Sequence, residues 1–330
     1  MKTECVEAVR LSAIIPTYNP DARRLRRTLQ GLQGQSLPAA LWETLLINNA
    51  STRFPQDAFF VRHGPVNLRV VAESQLGLTA ARRRGFTEAR GEICVLVDDD
   101  NVLAPDYLAE AVRLFAAHPY VGAMGGKSVP EFAVEPPPWT REFYGLLALR
   151  DLGDEPLVSH GFNPAGTGSD RYPPFAPIGA GLALRRAAVA SWLADIAVNP
   201  LPDRRGSALT SGGDNDIILT LLHHGWEVGY FPALSLTHLI PARRCERRYL
   251  ARLNRGIAQS WIQVLAKHES NPWGPISRWT VPLRRIKAWF AYRAWAGPVE
   301  FIRWQGACGH FDGQAALAAA ASSPARRVSP

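Results

Sequence analysis

The sequence predicts an α/β fold with a mostly parallel central sheet and helices on both faces. Short apolar strand patterns alternate with longer helical patterns over 11–117, which is typical of parallel strands joined by crossover helices. The run 93–97 is apolar at every position, as expected of a strand covered on both faces. Polar residues follow several strand ends, where open α/β sheets bind ligands.

The predicted elements of the first half can be justified in chain order. They are strand 11–16, helix 22–33, strands 44–47 and 68–71, helix 79–90, strand 93–97 and helix 105–117. Leu25, Leu29 and Leu32 share one face of the first helix, because positions three and four apart are neighbours on a helix. The turn-rich stretch 16–20 ends the first strand.

The pattern changes after residue 121. Two long loop-like stretches, 130–138 and 161–177, are rich in Pro or in Gly, Pro, Ser and Asn, and such loops are usually functional. The later elements predicted are strand 179–184, a helix after Asp214, strand 226–231 and a helical, basic, aromatic region over 243–306. The predicted domains are a catalytic domain 1–240 with halves 1–125 and 126–240, a helical extension 241–312 and a disordered tail 313–330.

An acidic triplet, Asp98, Asp99 and Asp100, follows the run 93–97. Three carboxylates at the end of a buried strand repel one another, and a divalent cation offsets that repulsion. Carboxylate oxygens are the ligands that Mg²⁺ and Mn²⁺ prefer, and these ions are usually shared with substrate phosphates. The triplet therefore predicts a Mn²⁺ or Mg²⁺ site. The alternative that the residues alone leave open is a solvated acidic turn or helix cap.

Charge and cysteine content narrow the class of protein. The formal net charge of +8 favours an anionic partner: a phosphorylated substrate, a nucleic acid or an anionic membrane surface. The cysteines, Cys5, Cys94, Cys245 and Cys308, match no metal spacing and are expected to be reduced thiols. The start of the sequence lacks a signal-peptide pattern and no apolar run is long enough to span a bilayer, so we predict a cytoplasmic protein.

Seven short segments then occur in a characteristic order. They are SAIIPTYN at 12–19, LINNAS at 46–51, GLTAAR at 77–82 followed by Gly85, VDDD at 97–100, GAGLALRR at 179–186, GGDND at 212–216, and His238 followed by Arg243. Together these segments resemble the family 2 glycosyltransferases, inverting enzymes with the GT-A nucleotide-diphospho-sugar transferase fold. The resemblance covers about two-thirds of the chain, and the helical region beyond it would be a C-terminal extension.

The resemblance implies an enzyme that moves a sugar from a nucleotide-diphosphate donor to an acceptor hydroxyl, in surface glycan or glycolipid synthesis. The donor-binding residues implied are Pro16, Thr17, Tyr18, Asn48, Arg82, Asp98 and Asp99. Asp100 and His238 would hold the Mn²⁺ or Mg²⁺ ion, and Asp98 would bond the ribose. Arg82 suits phosphate oxygens, although a solvated arginine beside Arg83 is the alternative.

Inversion needs a general base on the face opposite the leaving group. Asp214 is the predicted base, and Asp216 is the competing residue. A helix N-cap is the ordinary alternative for an aspartate at this place. The chain departs from the family pattern at Gly213, where a Glu is usual, and at Asn48, where an Asp is usual; Asn at that place argues against guanine as the base of the donor.

Acceptor binding is assigned to Trp139, Gly181 and Asp216. Aromatic rings stack on sugar faces, so Trp139 in the Pro-rich loop suits a glycan or lipid-linked acceptor. Its alternative role is to anchor a long loop to the domain.

The region 283–304 interleaves five cations with six aromatic rings. This composition suits a helix in a membrane interface, hence a peripheral contact with an anionic membrane on the cytoplasmic face of the inner membrane. It equally suits a helix packed on the catalytic domain with a basic outer face.

Two other classes of function remain alternatives. A sugar-phosphate nucleotidyltransferase would share the nucleotide-binding sheet but normally has a Gly-rich phosphate loop, which the stretch 16–19 is not. A non-enzymatic nucleic-acid-binding protein would fit the charge, but it leaves the acidic triplet unexplained and no such motif is present. We therefore expect no nucleic-acid partner.

Overall fold

The computed structural model describes residues 8–159, 172–201, 204 and 209–322, with side chains through 319. The chain forms two compact units. The first comprises Met1–Ala133, Ala148–Pro200 and Ile217–Ile240, and the second comprises Val134–Leu147, Leu201–Asp216 and Pro241–Pro330. These units do not coincide with the linear domains predicted from the sequence, because compact packing groups segments that are distant along the chain.

The first unit contains all the described strands. They are β1 (Leu11–Thr17), β2 (Trp42–Asn49), β3 (Leu68–Glu73), β4 (Ile93–Leu96), β5 (Asn101–Leu103), β6 (Val121–Gly125), β7 (Ser128–Phe132), β8 (Leu157–Val158), β9 (Ala183–Arg185), β10 (Glu227–Tyr230) and β11 (Leu236–Ile240). Its helices are α1 (Ala22–Gln33), α2 (Asp57–His63), α3 (Leu78–Glu88), α4 (Tyr107–Ala117), α5 (Arg186–Val198) and the greater part of α6 (Gly213–His223).

The main sheet has eight strands in the order β3-β2-β1-β4-β9-β6-β10-β8. The pairs β2–β3, β1–β2, β1–β4 and β6–β10 are parallel, whereas β9 runs antiparallel to β4 and β6, and β8 antiparallel to β10. The predicted α/β fold with a mostly parallel sheet is confirmed. The order reverses between β1 and β4, and ligands of open α/β sheets bind at such a reversal.

Both faces of this sheet are covered by helices. Side chains alternate along β1, so that Ala13 and Ile15 face a core that includes α1 and α4, while Ile14 faces a core that includes α3 and α5. β4 alternates in the same way, with Val95 on the first side and Cys94 on the second. Burial on both sides explains why the run 93–97 is continuously apolar.

A second, three-stranded sheet has the order β5-β11-β7. β11 pairs antiparallel with β5 and parallel with β7. Its importance lies in its register, which places His238 opposite Asn101 and therefore beside the end of the acidic triplet.

The predicted strand 179–184 differs from the structure, in which only Ala183–Arg185 is a strand. Gly181 has φ +69°, a left-handed conformation that ends extended structure and favours glycine. The segment that precedes β9 is therefore a turn.

The second unit is helical. Its helices are α7 (Arg247–Lys267), α8 (Val281–Ala291) and α9 (Pro298–Ser322), with short 3₁₀ segments at Pro138–Leu147, Ala242–Cys245 and Arg278–Thr280. α9 continues to Ser322, so the predicted disordered tail is wrong over 313–322. The alanine-rich stretch favours helix there, because alanine has the highest helix propensity.

Helix α9 packs closely against α7 through small residues. A Cβ at Gly309 would collide with the backbone of Arg255, and one at Gly313 would lie 2.9 Å from the carbonyl oxygen of Gln259. The Arg255 guanidinium also donates to the Asp312 carboxylate across the two helices at 2.7 Å. Glycines on one face thus permit the close approach of the helices, and an ion pair fixes their register.

Candidate active site

The ends of β1 and β4 lie side by side where the strand order reverses. β1 pairs in parallel with β4 from Leu11↔Ile93 onward, so the residues that follow each strand emerge at the same edge. The Thr17 hydroxyl donates a hydrogen bond to the Asp99 carboxylate across this junction. Two residues predicted to bind the donor are therefore in direct contact.

Asp100 and His238 form a buried pair beside this junction. The Nε2 atom of His238 lies 3.3 Å from Oδ1 of Asp100, and both side chains are buried. The contact follows from the β5–β11 register, and the backbone N–H of Leu239 donates to the Asp100 carbonyl at 2.9 Å. The structure thus brings together the two residues predicted to bind the metal, which are far apart along the chain.

The triplet concentrates negative charge in a poorly solvated place. The pKa of Asp99 is raised to about 7, chiefly by burial and also by the neighbouring charges of Asp100 and Asp98, against the lowering effects of the Thr17 hydrogen bond and the Arg24 charge. The acidic turn is therefore not an ordinary solvated one. A cation in this position would relieve the repulsion that these carboxylates create.

Arg82 lies on α3 and is buried, unlike its exposed neighbour Arg83. The helix packs so tightly on the sheet that a Cβ at Gly85 would collide with Ile14. Close packing holds the α3 backbone against β1, and this fixes the position of Arg82 on the helix. The solvated alternative for Arg82 is wrong.

The end of β2 is organised by Asn49, a residue that the sequence prediction missed. The Oδ1 atom of Asn49 accepts from the Gly77 N–H at 2.8 Å, and its amide donates to the Gln75 carbonyl at 2.7 Å. Asn48 instead accepts from the Ser51 N–H at 3.2 Å. Adjacent strand residues point to opposite faces, so Asn48 and Asn49 bind different partners. Two consecutive Asn residues at a strand end could have indicated this from the sequence.

The loop after β1 is fixed by Asn19, which the sequence prediction also missed. Asn19 has φ 48°, and its Oδ1 accepts from the Arg53 N–H at 2.8 Å. Its own N–H donates to the Ser51 hydroxyl at 2.9 Å. Pro16 is buried within β1, whereas Tyr18 is 39% exposed, so Tyr18 has a face accessible to a ligand.

Gly181 lies in the turn before β9. The Tyr107 hydroxyl donates to the Gly181 carbonyl, and a Cβ at Gly181 would crowd both Tyr107 and Leu236. Glycine at this place therefore has a packing explanation. Its predicted role in acceptor binding stays a prediction.

In the second unit, Asp214 and Asp216 lie in the first turn of α6. Asp214 is half-buried and accepts from the Asn215 N–H at 3.1 Å. Asp216 is fully buried: Lys267 Nζ lies 2.8 Å from its Oδ1, and His268 Nε2 lies 2.9 Å from the same atom. Within the second unit, the described contacts give Asp216 a structural role in joining the segment that ends at Asp216 to the end of α7.

Trp139 lines a cavity of about 330 Å³ within the second unit. The other lining residues are Val134, Glu135, Pro136, Pro137, Ala242, Cys245, Glu246 and Arg247. Trp139 also makes an edge contact with Phe143, with ring centroids 6.4 Å apart. The ring therefore anchors its loop and also borders an open cavity.

The donor set suits a hard divalent cation, which binds oxygen ligands and tolerates an imidazole. The oxygen of Asp100 and the nitrogen of His238 converge, and the other two carboxylates of the triplet are adjacent in sequence. Among the described residues, no group of three or more His, Cys, Asp or Glu side chains is arranged as a complete metal site. A cation here would complete its coordination with substrate or water oxygens.

The described cysteines Cys94, Cys245 and Cys308 are buried and free, and Cys5 lies outside the described residues. No helix in the described part of the chain is long and apolar enough to cross a membrane.

Comparisons with known proteins agree with this architecture. A mannosyltransferase from Pyrobaculum calidifontis, solved in complex with GDP-Man and Mn²⁺, superposes with a TM-score of 0.54 at 22% identity and covers 97% of this chain and 79% of its own. At that identity the likeness establishes the fold alone.

Two curated relatives match in sequence over about a quarter to a third of this chain. A glucosyl-dolichyl phosphate glucuronosyltransferase of Haloferax volcanii is 28% identical over 78 residues, 23% of this chain. An uncharacterized protein, y4gI, of Sinorhizobium fredii is 32% identical over 113 residues, 33% of this chain. The matched segments span only 25% and 12% of those relatives' own lengths.

The family match is broader. Residues 12–192 match the family described as glycosyl transferase family 2, and this segment is more than half of the chain. It includes the strand ends that carry Thr17, Asn48 and the acidic triplet. The match confirms the predicted enzyme class, and neither a nucleotidyltransferase nor a nucleic-acid-binding protein is supported. The chain belongs to glycosyl transferase family 2 and has the GT-A fold.

Proposed function

We propose that this protein transfers a sugar from a nucleotide-diphosphate donor to an acceptor hydroxyl, with inversion at the anomeric carbon. The observation that carries the proposal is the buried Asp100–His238 pair, 3.3 Å apart, beside the Thr17–Asp99 contact at the reversal of strand order. Such a reversal is where α/β sheets bind nucleotides. The concentration of carboxylates there suits a cation shared with a diphosphate.

Asp100 and His238 would hold Mn²⁺ or Mg²⁺. The mannosyltransferase with the same fold was solved with Mn²⁺ and GDP-Man, which supports this choice of ion and donor class. When bound, the ion would neutralise the charge that develops on the departing diphosphate.

The proposed donor contacts follow from the strand ends and α3. Asp98 would accept hydrogen bonds from the ribose hydroxyls, and Thr17 orients Asp99 through its hydroxyl. Arg82 would face the diphosphate or sugar, since a guanidinium matches phosphate oxygens. Pro16, Tyr18 and Asn48 would border the base, with Asn48 offering one acceptor and one donor to a base edge.

Asp214 is the proposed general base. It would remove the proton from the acceptor hydroxyl as that oxygen attacks the anomeric carbon on the face opposite the diphosphate. Asp216 is a weaker candidate, because Lys267 and His268 already occupy its carboxylate. A buried carboxylate held by two basic groups is a poor proton acceptor.

The proposed acceptor is a glycan or a lipid-linked sugar, in the synthesis of a surface polysaccharide or glycolipid at the cytoplasmic face of the inner membrane. Trp139 supports this part of the proposal, because its ring borders a cavity large enough for a sugar. Gly181 and Asp216 complete the proposed acceptor side, although each also has the packing role described above.

The test is a panel of nucleotide-diphospho-sugars assayed for binding and hydrolysis with Mn²⁺, with Mg²⁺ and with chelator. We expect at least one donor to bind and to turn over only with a divalent ion. Asp214→Asn should lower transfer by about 10²–10⁴-fold, the usual contribution of a general base, while donor affinity is retained. Asp57→Asn, at an exposed position on α2, is the matched control. Full transfer by Asp214→Asn would eliminate the base assignment, and a panel without any bound donor would overturn the proposed function.

A further inference from the structure

Helix α8 has one buried face and one exposed apolar face. Val281 and Ala288, seven residues apart, are buried against the rest of the second unit. Leu283, Ile286 and Phe290 are 71%, 56% and 63% exposed. Their spacing of three and four places them on one side of the helix, opposite the buried pair. Three large apolar side chains on one outward stripe are unusual for a surface in contact only with water.

Exposed aromatic residues flank α8 at both ends. Trp279, just before α8, is 77% exposed, and Trp295, just after it, is 56% exposed. The rings of Phe290 and Trp295 meet edge to face with centroids 5.8 Å apart. We call Trp279, Leu283, Ile286, Phe290 and Trp295 the α8 outer face.

The opposite side of α8 is firmly attached to α9. Trp304 Nε1 donates to the Arg285 carbonyl at 3.0 Å, and the Arg285 guanidinium pairs with Asp312. The ring of Trp289 packs edge-on against Trp304, with centroids 4.8 Å apart. These anchors fix the rotation of α8 about its axis. The outward apolar stripe is therefore a property of the folded unit and not of a loose helix.

The segment that contains α8 carries more cationic than anionic side chains. Residues 270–299 contain five cationic side chains and no Asp or Glu. The cations are Arg278, Arg284, Arg285, Lys287 and Arg293, of which Arg285 pairs with Asp312 on the side of α8 that is attached to α9. A helix with exposed large apolar side chains flanked by cations and tryptophans matches the chemistry of an anionic bilayer surface, where the rings lie at headgroup depth.

A second copy of the chain is a poor occupant for the same face. A symmetric dimer would bring this patch against itself and so place cations opposite cations, without any carboxylate from 270–299 to offset them. Anionic lipid headgroups offset the charge, and the acyl region accepts the apolar stripe.

We propose that the α8 outer face docks on a membrane surface rich in anionic phospholipid, lying in the interface without crossing the bilayer. The proposal rests on the proposed function for its biological setting, while the binding itself requires neither donor nor acceptor. It assigns separate tasks to the rings of the C-terminal region: Trp289 and Trp304 hold α8 in place, whereas Phe290, Trp279 and Trp295 enter the interface.

The test is co-sedimentation of the full chain with vesicles of phosphatidylcholine alone and of phosphatidylcholine mixed with phosphatidylglycerol. We expect binding to the mixed vesicles that weakens as salt is raised, because the contribution of charge is screened. Ile286→Ser with Phe290→Ser should reduce affinity about a hundredfold, roughly tenfold for each apolar side chain withdrawn. Val61→Ser with Val66→Ser, at sites 86% and 93% exposed in the first unit, is the matched control and should bind as the parent does.

Arg284→Gln with Lys287→Gln should lower affinity for the mixed vesicles by about tenfold or more and leave the weak binding to phosphatidylcholine unchanged. Thermal unfolding checks that each variant is folded, since all four substituted positions on α8 are exposed. Quenching of tryptophan fluorescence by brominated lipid should occur with the parent chain and fall in the Ile286→Ser, Phe290→Ser variant.

Three outcomes would overturn the proposal. Absence of binding to the mixed vesicles is the first, and equal binding by the parent and the apolar variant is the second. The third is a dimer in solution that the apolar variant dissociates, which would assign the face to a second copy. If the chain binds the mixed vesicles but turns over no donor, this inference stands and the proposed function fails.

Discussion

Two buried aspartates, Asp100 and Asp216, are surrounded by opposite balances of charge. Asp216 has Lys267 at 2.8 Å and His268 at 2.9 Å, so two basic groups serve one carboxylate. Asp100 has His238 at 3.3 Å, and its chain neighbours Asp98 and Asp99 add two carboxylates. Removal of one partner from a buried ion pair is strongly destabilising, whereas an acid-rich cluster gains stability from a bound cation. Burial alone therefore does not distinguish an aspartate proposed to bind a metal from one that is paired with basic side chains.

The largest effect on stability is expected at the neutralised aspartate. Asp216→Asn leaves Lys267 buried without its carboxylate, and breaking such a pair costs about 3–5 kcal/mol of the free energy of unfolding. Urea unfolding with and without Mn²⁺ measures this loss of stability. The loss should be the same in both conditions, because this cluster is proposed to bind no metal. A variant as stable as the parent would show that this ion pair does not stabilise the second unit.

The effect of Asp100→Asn on stability, in contrast, should depend on whether Mn²⁺ is present. The variant should bind Mn²⁺ about 10–100-fold more weakly, because one proposed ligand is lost, and it should lose the stabilisation that the metal confers on the parent. Without metal its free energy of unfolding should equal or exceed that of the parent, since a repelling charge has been removed. Thermal unfolding titrated with Mn²⁺ separates the two effects. An unchanged Mn²⁺ response would remove Asp100 from the proposed site.

The acid-rich cluster should also give the metal-free protein a distinctive pH dependence. The raised pKa of Asp99, about 7, means that the folded state holds a proton that the unfolded chain releases near pH 4. This contribution to stability is complete below about pH 4 and is lost as the pH rises toward 7. We expect the free energy of unfolding to fall by about 1–2 kcal/mol over that interval, discounted for partial contact with water.

Urea unfolding at a series of pH values tests this expectation. Asp99→Asn should flatten the slope, and Asp57→Asn, at an exposed site, should leave it unchanged. A slope that survives in the Asp99→Asn variant would locate the titration elsewhere.

The smallest effect on the free energy of unfolding is expected for a surface ion pair, which serves as the reference for the two buried clusters. Arg27 and Glu131 form an ion pair in the first unit, and their side chains are 43% and 50% exposed, respectively. Glu131→Gln should change the free energy of unfolding by less than about 1 kcal/mol, because solvent screens exposed pairs. The same urea experiment applies, with and without salt. A larger loss of stability in Glu131→Gln would mean that the exposure of an ion pair does not predict its contribution to stability, and the comparison of the two buried clusters would lose its basis.

Several elements of the first unit could be predicted from the sequence. The apolar run 93–97 was predicted as a strand and forms β4 over Ile93–Leu96, and Arg82 lies on the helix α3 that was predicted to carry it. The role of Asn49 was missed, because its hydrogen bonds to Gln75 and Gly77 become visible only when β2 and the start of α3 are adjacent. Asp216 was grouped with the acceptor residues because its basic partners lie about fifty residues away along the chain.

The sequence by itself determined most strands and helices over 11–117, the polar residues at the strand ends and the basic, aromatic character of the C-terminal region; short elements such as α2, β5 and β7 were missed. These are local patterns, and local periodicity and propensity suffice to establish them. The resemblance had already grouped His238 with Asp100. The tertiary structure alone decided that Lys267 and His268 contact Asp216, and which aromatic rings of the region around α8 face outward. Strand register, burial and helix rotation decide such contacts, and each depends on residues distant in the chain.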